Sequence, residues 1–339
     1  MIPRLSHPES TPEIVQSFLA ELRQSSFSGD IQHDYGTRLI TSTDNSIYQV
    51  LPQAVVFPKN AGDIEAVLLL TAQQKFCQSI KITARGGGTG TNGQSLTKGI
   101  VLDCSRYMNR ILEVNIKQGW VRVEPGVVLD QLNEHLVPHG VFFAPNLSPS
   151  NRATIGGMVN TDACGKGSRI YGRTSDHVLE LSCVLSNGET LESVPLDENN
   201  LSKYKQKPGV AGEVFKVVDQ IVLEKADLID EVFPNMSRFM TGYNLAKVYG
   251  NSEKNFNLNY LLSGSEGTLA VLSELKLRLT DLPKYKRLLV VKYEQFDDAL
   301  RDAQILVESD PAAIETIDEK ILSLARTDEI YNKIKSFIA

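Results

Sequence analysis

One stretch of the sequence decides how the fold is read: residues 80–103, IKITARGGGTGTNGQSLTKGIVLD. Apolar runs at its two ends predict strands over residues 80–84 and 99–102, with a glycine-rich loop between them. Such loops expose backbone N–H groups to phosphate oxygens. The loop also satisfies G-x-G-x-x-G at residues 88–93, but a nicotinamide-binding turn of that kind opens a helix, and here a second turn and a strand follow. A nicotinamide enzyme is therefore a weaker alternative, and the missing Gly-Lys-Ser/Thr excludes a P-loop.

The residues before this stretch predict a βαβ unit. An apolar run at 54–57 predicts a strand, and Asn60 is placed to cap a helix that extends to about residue 75. Strand, helix and strand within about thirty residues are typical of such a unit. Further upstream, an apolar face at 3.6-residue spacing predicts a helix over residues 13–23.

The residues after it alternate between strand and helix patterns. Strands are predicted at 111–115, 119–123, 180–185, 190–194 and 275–279, and helices at 128–137 and 212–225. Asn187-Gly188 lies between two of these strands and predicts a hairpin with a type I′ turn.

A second β-α-β-α module is predicted beyond Pro283. Its strands are expected at 287–293 and 312–317, and its helices at 296–307 and from 319 onward. Two strands and two helices bury little surface, so we expect the polypeptide to be part of a longer protein. The domain organisation predicted from these patterns is an N-terminal helical extension at 1–45, a main domain at 46–282 and an incomplete domain at 283–339.

Composition excludes several functional classes. The chain has 339 residues and a net charge of −6, without a block of like charge, which argues against a nucleic-acid partner. The four cysteines stand alone, so neither a zinc site, an iron–sulfur cluster nor a disulfide framework is indicated, and a reducing cytoplasm fits best. No apolar run is long enough for a transmembrane segment.

Glycine is concentrated in one part of the chain. Of 24 glycines, 14 lie between residues 86 and 172. They collect in the loop at 85–95 and in a second segment at 145–167, and a third tight turn follows at 263–269. One glycine-rich loop alone is equally compatible with a structural turn. Three such segments together favour a ligand-binding role.

The three segments resemble the FAD-binding domain of the vanillyl-alcohol oxidase and p-cresol methylhydroxylase (PCMH) superfamily. The resemblance is carried by RGGGTG at 85–90, NRATIGG at 151–157 and GSEGTL at 264–269, in this order. Within the superfamily the chain is similar to FAD-linked D-2-hydroxy-acid dehydrogenases, especially the N-terminal third of long bacterial members with iron–sulfur modules downstream. The resemblance implies an α+β fold: a PCMH-type FAD-binding domain of two α/β subdomains, followed by the start of a ferredoxin-like cap domain.

The resemblance also implies which residues hold FAD. Residues 86–90 would bind the pyrophosphate through their backbone, the second segment would line the flavin, and the third turn would complete the contact. The implied cofactor-binding residues are Arg85, Gly86, Gly87, Gly88, Thr89, Gly90, Gln94, Ser95, Pro145, Ser148, Thr154, Gly156, Gly157, Gly165, Glu266 and Gly267. Covalently flavinylated members carry His where this chain has Thr89, so the resemblance implies non-covalent FAD. Cys164 is expected to pack rather than to tether the flavin.

The implied reaction is oxidation of a D-2-hydroxy acid, of the D-2-hydroxyglutarate or D-lactate type, to the 2-oxo acid. Hydride would pass to the flavin N5 while a base takes the hydroxyl proton. No base can be assigned, because the family's histidine-rich, metal-associated site belongs to a cap region that this sequence does not contain. His177 follows the second segment and could approach the flavin, but a structural role is favoured for it. Arg152 lies within that segment and is equally explained as a contact to a substrate carboxylate or as a cap on a loop carbonyl. Residues 236–238 and 241–245 resemble a segment that borders the active site. The alternative is a non-catalytic FAD-binding fragment or subunit. The electron acceptor, or an iron–sulfur module, is expected in the missing C-terminal part.

Overall fold

The computed structural model describes residues 11–236, 242–250 and 254–336. Residues 1–10 of the predicted N-terminal extension and 337–339 of the predicted cap lie outside this part of the chain. Its strands are β1 (Asp30–Gln32), β2 (Ala54–Phe57), β3 (Ile82–Arg85), β4 (Ile100–Asp103), β5 (Ile111–Asn115), β6 (Trp120–Val123), β7 (Val141–Phe142), β8 (Val178–Val184), β9 (Thr190–Ser193), β10 (Val271–Arg278) and β11 (Thr280–Asp281).

The α-helices of the same residues range from four to sixteen residues in length. They are α1 (Glu13–Gln24), α2 (Tyr35–Ile40), α3 (Ala61–Thr71), α4 (Leu129–Leu136), α5 (Ile155–Asn160), α6 (Ser168–Tyr171), α7 (Glu198–Lys205), α8 (Gly209–Glu224), α9 (Ala226–Val232), α10 (Ala246–Tyr249), α11 (Asn259–Leu262), α12 (Phe296–Leu306), α13 (Glu319–Arg326) and α14 (Glu329–Ile334).

The first sheet has four strands in the order β1-β2-β4-β3. β2, β4 and β3 are parallel, and β1 is antiparallel to β2. The predicted βαβ unit is confirmed, with β4 inserted between its two strands. The Asn60 side chain caps α3 by accepting a hydrogen bond from the Asp63 backbone N–H, as predicted, although α3 ends four residues before residue 75. The buried face of α1 packs into the same core, where Phe18 meets Phe76 edge to face at 5.3 Å between ring centroids.

The second sheet has five antiparallel strands in the order β5-β6-β10-β8-β9. Its buried face packs against α4, α5, α7 and α8 in one hydrophobic core. The predicted β8–β9 hairpin is present, but the type I′ turn is wrong. Gly188 has φ +85° while Asn187 is not left-handed, and the Gly188 N–H donates to the Leu185 carbonyl, as in a type I turn followed by a glycine bulge.

The mixed α+β class is thereby confirmed, and the two sheets differ in architecture. In the C-terminal segment the predicted helices at 296–307 and from 319 onward are confirmed by α12, α13 and α14. The strands predicted at 287–293 and 312–317 are wrong, because neither segment pairs with another strand among the described residues. Without a neighbouring strand, the backbone N–H and C=O groups of an extended segment have no hydrogen-bond partners. The ferredoxin-like sheet expected for the cap is therefore not formed by the residues described.

Candidate functional site

The first glycine loop leaves β3 and reaches β4 without forming a helix. The backbone N–H groups of residues 86–91 are consecutive, and none of the six donates a hydrogen bond to an acceptor in the described part of the chain. Residues 86–91 are all half-buried or exposed. Consecutive amides without a protein acceptor attract anions, so the loop fits the diphosphate of a dinucleotide.

The first loop packs directly against the second glycine segment. A Cβ atom on Gly86 would lie 2.1 Å from Oγ1 of Thr154, and one on Gly87 would lie 2.0 Å from the carbonyl oxygen of Arg152. Any side chain at these positions would push the two segments apart. Thr154 caps α5 by accepting a hydrogen bond from the Gly157 N–H at 3.4 Å. Glycine is thus needed at 86 and 87 because the two loops pack closely there, in addition to any need to leave space for a ligand.

The third turn hydrogen-bonds to the C-terminal end of α5. The Gly264 N–H donates to the Val159 carbonyl at 2.9 Å, and the Glu266 N–H donates to the Asn160 carbonyl at 2.8 Å. Glu266 adopts φ +52°, an unusual conformation for a residue with a side chain. A Cβ on Gly267 would lie 4.0 Å from Cβ of Ala84 in β3. The three segments that the sequence singles out therefore converge around α5 and the end of β3.

The structure places the sixteen predicted cofactor residues unequally. Residues 86–90, Thr154, Gly156, Gly157, Glu266 and Gly267 lie at or beside the contacts just described. Gly165 packs against the start of the second segment, because a Cβ atom placed on it would lie 2.1 Å from the Asn146 carbonyl oxygen. Pro145 and Ser148 belong to the same stretch as Asn146, and Pro145 is buried whereas Ser148 is exposed.

The side chains of Arg85, Gln94 and Ser95 bond to the protein itself. The Arg85 guanidinium donates to the carbonyl oxygens of Thr41 and Thr43 and to Ser95 Oγ. Gln94 Oε1 accepts from the Asn92 N–H at 3.1 Å, within the same loop. These side chains shape the loop.

His177 packs as a core residue. Its Nε2 lies 2.7 Å from the Tyr171 carbonyl oxygen, and its ring meets Phe143 edge to face at 5.7 Å between centroids. Burial lowers the pKa of this imidazole below its usual value. The backbone carbonyl oxygen of Arg152 packs against the first loop, and Arg152 as a whole is exposed. Neither residue is placed as a substrate contact by these observations.

Two features beside the site are not indicated by the local sequence. Asp162, with φ +44°, forms a buried ion pair with Arg173 and accepts a hydrogen bond from the Ser175 N–H at 2.8 Å, closing the loop between them. The Tyr243 hydroxyl lies 2.7 Å from Thr268 Oγ1 on the third turn. Tyr243 belongs to the predicted 241–245 segment, whereas Thr241 and residues 237–238 lie outside the described residues. No local sequence pattern connects partners so far apart.

Comparison with known proteins agrees with this geometry. The family model described as "FAD binding domain" matches residues 52–193. The chain is 48% identical over 338 residues to a D-2-hydroxyglutarate dehydrogenase of Escherichia coli K12, covering 100% of this chain and 33% of that protein. It is 52% identical over 320 residues to a D-2-hydroxyglutarate dehydrogenase of Pseudomonas putida KT2440, covering 94% of this chain and 32% of that protein. The resemblance to FAD-linked D-2-hydroxy-acid dehydrogenases is thereby confirmed.

The fold is also similar to a solved structure. An alkyldihydroxyacetonephosphate synthase matches with a TM-score of 0.57 and 17% identity, covering 83% of this chain and 42% of that one, which supports the PCMH-type fold alone. The chain spans about a third of the length of the curated relatives quoted above. Among the residues described, no helix combines the length and apolar character needed to cross a membrane.

Proposed function

We propose, from the FAD-binding domain that residues 52–193 match, that this chain is the flavin-binding part of an FAD-dependent D-2-hydroxy-acid dehydrogenase. The observation that carries the proposal is the run of six amides in residues 86–91 that have no acceptor among the described residues, beside two further glycine segments. Backbone dipoles of this kind suit a diphosphate group. When bound, FAD supplies the hydride acceptor for oxidation of a hydroxy acid.

The chain's own contribution is to bind and orient. The amides of residues 86–91 would hold the diphosphate, and the second and third segments would border the rest of the cofactor, with Thr154, Gly156, Gly157, Gly165, Glu266 and Gly267 among the residues in contact. The substrate class, a 2-hydroxy acid such as D-2-hydroxyglutarate or D-lactate, follows from the names of the similar proteins and from the resemblance. No residue is assigned as the base that takes the hydroxyl proton.

FAD is proposed to bind without a covalent link. Thr89 follows the three consecutive glycines, and its hydroxyl cannot form the histidyl bond that the resemblance implies for flavinylated proteins. Cys164 is half-buried among small residues. We further propose that the protein acts in the cytoplasm, and that electrons pass to an acceptor or an iron–sulfur module carried by the remainder of a longer protein.

The test of the proposal is FAD binding by the purified protein. We expect apo-protein to take up FAD, with quenched flavin fluorescence and a visible absorbance band, and acid precipitation to release all of the flavin into the supernatant. Gly87→Ala should weaken FAD binding at least about tenfold, because its Cβ would collide with the Arg152 carbonyl and open the site. Gly36→Ala is the control, since it also replaces a glycine, its backbone is not left-handed, and its Cβ would meet only a carboxylate oxygen of Asp34 at 3.2 Å. Failure of the wild-type chain to bind FAD would refute the proposal.

The second candidate is a non-catalytic FAD-binding fragment or subunit. It is favoured by the C-terminal segment, where every residue from 280 to 336 whose burial is described is half-buried or exposed. Anaerobic addition of D-2-hydroxyglutarate or D-lactate to the FAD-loaded chain separates the two candidates. Bleaching of the flavin absorbance by either acid would eliminate the non-catalytic alternative.

A further inference from the structure

A short segment upstream of β2, residues 41–50, lies against the first glycine loop, and we call it the strap. It folds back on itself: Thr43 bridges Gln49, and the Val50 N–H donates to the Ser42 carbonyl at 2.8 Å. Thr41 and Ser42 are buried, whereas Ile47 is 95% exposed. The strap is thus anchored at its base and free at its tip.

Arg85 joins the start of the loop to the strap. Its Nη2 donates to the Thr43 carbonyl at 2.7 Å, and its Nη1 lies 3.3 Å from both the Thr41 carbonyl and Ser95 Oγ. A Cβ on Gly88 would come within 2.4 Å of Nη2, so the guanidinium lies over the loop backbone and Gly88, at φ +61°, leaves room for it. The guanidinium therefore donates hydrogen bonds to three oxygen atoms of the protein.

Two further contacts hold the middle and the end of the loop. The Asn45 N–H donates to the Gly88 carbonyl at 3.1 Å. The half-buried Asp44 carboxylate accepts from Ser95 Oγ at 3.1 Å through Oδ2 and from the Ser46 N–H at 2.8 Å through Oδ1. The strap therefore contacts the first loop near its start, its middle and its end.

We propose that Asp44, Ser95 and Arg85 are positioning residues that hold the first loop in its cofactor-binding shape before the cofactor arrives. This inference rests on the proposed function. A glycine-rich loop loses much conformational freedom when it is ordered. Contacts that order it in the free protein reduce the entropy lost on binding, and binding tightens accordingly. Arg85 is thereby reassigned from a cofactor contact to a residue that acts through the loop.

The sign of one substitution separates this role from simple electrostatics. Asp44 places a negative charge beside a loop that would bind an anionic diphosphate. If only charge mattered, removing that charge would tighten FAD binding, because like charges repel. If Asp44 positions the loop, removing it weakens FAD binding instead.

The experiment measures the FAD dissociation constant by flavin fluorescence for Asp44→Asn, Asp44→Ala and Ser95→Ala. We expect Asp44→Ala to weaken binding about tenfold, since a hydrogen bond to a charged group is lost, and the other two to weaken it less. The double variant of Asp44→Ala and Ser95→Ala should lose less affinity than the sum of the two single losses, because both changes break the shared Asp44–Ser95 hydrogen bond. Asp230→Asn changes the net charge equally on the exposed face of α9 and should have no effect.

A second measurement needs no cofactor. Hydrogen exchange of the apo-protein should be faster at the hydrogen-bonded amides of Asn45, Asn92 and Leu96 in Asp44→Ala and Ser95→Ala than in the wild type or Asp230→Asn, because the loop and the strap separate more often. Unchanged exchange, or FAD binding that tightens in Asp44→Asn, would overturn the proposed positioning. A wild-type chain that exchanges as expected but binds no FAD would instead refute the proposed function.

Discussion

The residues up to 282 and the C-terminal segment 284–336 have similar apolar patterns but different packing. The first region contains two large hydrophobic cores that cover both sheets. In the second, every described side chain is half-buried or exposed, and Leu288 and Leu289 are 86% and 78% exposed. Helices form in both regions, because a helix pairs its own backbone groups. Strands form only where a neighbouring strand is available.

The largest expected difference between the regions is in their ion pairs. Asp162 and Arg173 are buried together, whereas Arg169 and Asp310, 2.5 Å apart, join the main region to the C-terminal segment in solvent. Asp162→Asn keeps the side-chain size but leaves the Arg173 charge buried, so we expect a loss of about 3–5 kcal/mol in the free energy of unfolding. Asp310→Asn should cost at most about 1 kcal/mol. Urea unfolding of both variants measures the difference, and equal losses would mean that the C-terminal segment is as firmly packed as the main region.

A smaller effect is expected from truncating apolar side chains. Leu275 is fully buried in the central strand of the five-stranded sheet, and Leu289 is 78% exposed. Leu275→Ala should lower the free energy of unfolding by about 3 kcal/mol because it leaves a cavity. Leu289→Ala should change it by less than about 0.5 kcal/mol. A large loss in Leu289→Ala would show that this leucine is covered in solution.

The smallest effect concerns pH and the main region alone. Burial lowers the pKa of His177 below the unfolded value near 6.5, so the folded protein binds fewer protons than the unfolded chain in mildly acid solution. The stability contributed by neutral His177 is complete above about pH 6.5 and falls as the pH decreases through the lowered pKa, at up to about 1.4 kcal/mol per pH unit. His177→Gln should flatten this slope between pH 7 and 5 in urea titrations. An unchanged slope would place the acid sensitivity elsewhere.

Local chemistry made part of the fold predictable. The Asn60 cap, the apolar face of α1 and the alternation in β10 are properties of adjacent residues, and the structure agrees with each. The turn after Leu185 was predicted in the wrong conformation because Asn-Gly suits more than one turn, and flanking strand geometry selects between them. The strands at 287–293 and 312–317 failed because apolar content alone does not supply a partner.

For the candidate site, the sequence predicts which segments take part but not how they contact one another. Three glycine segments could be recognised from the sequence, but the contacts that join them, such as Gly87 with the Arg152 carbonyl, connect residues far apart in the chain. The role of Arg85 could not be inferred either, because its partners Thr41 and Thr43 are reached through backbone oxygens that carry no sequence signature. Resemblance to known proteins supplied the grouping that local pattern could not.

The position of β10 has a consequence for synthesis on the ribosome. This strand lies at the centre of the five-stranded sheet, between β6 and β8, although it is made long after both. Until it emerges, the nascent chain holds two separate hairpins, β5–β6 and β8–β9, each with an open edge able to pair with another polypeptide. The third glycine turn immediately precedes β10, so the proposed cofactor site and the five-stranded sheet are completed by the same late-synthesised part of the chain.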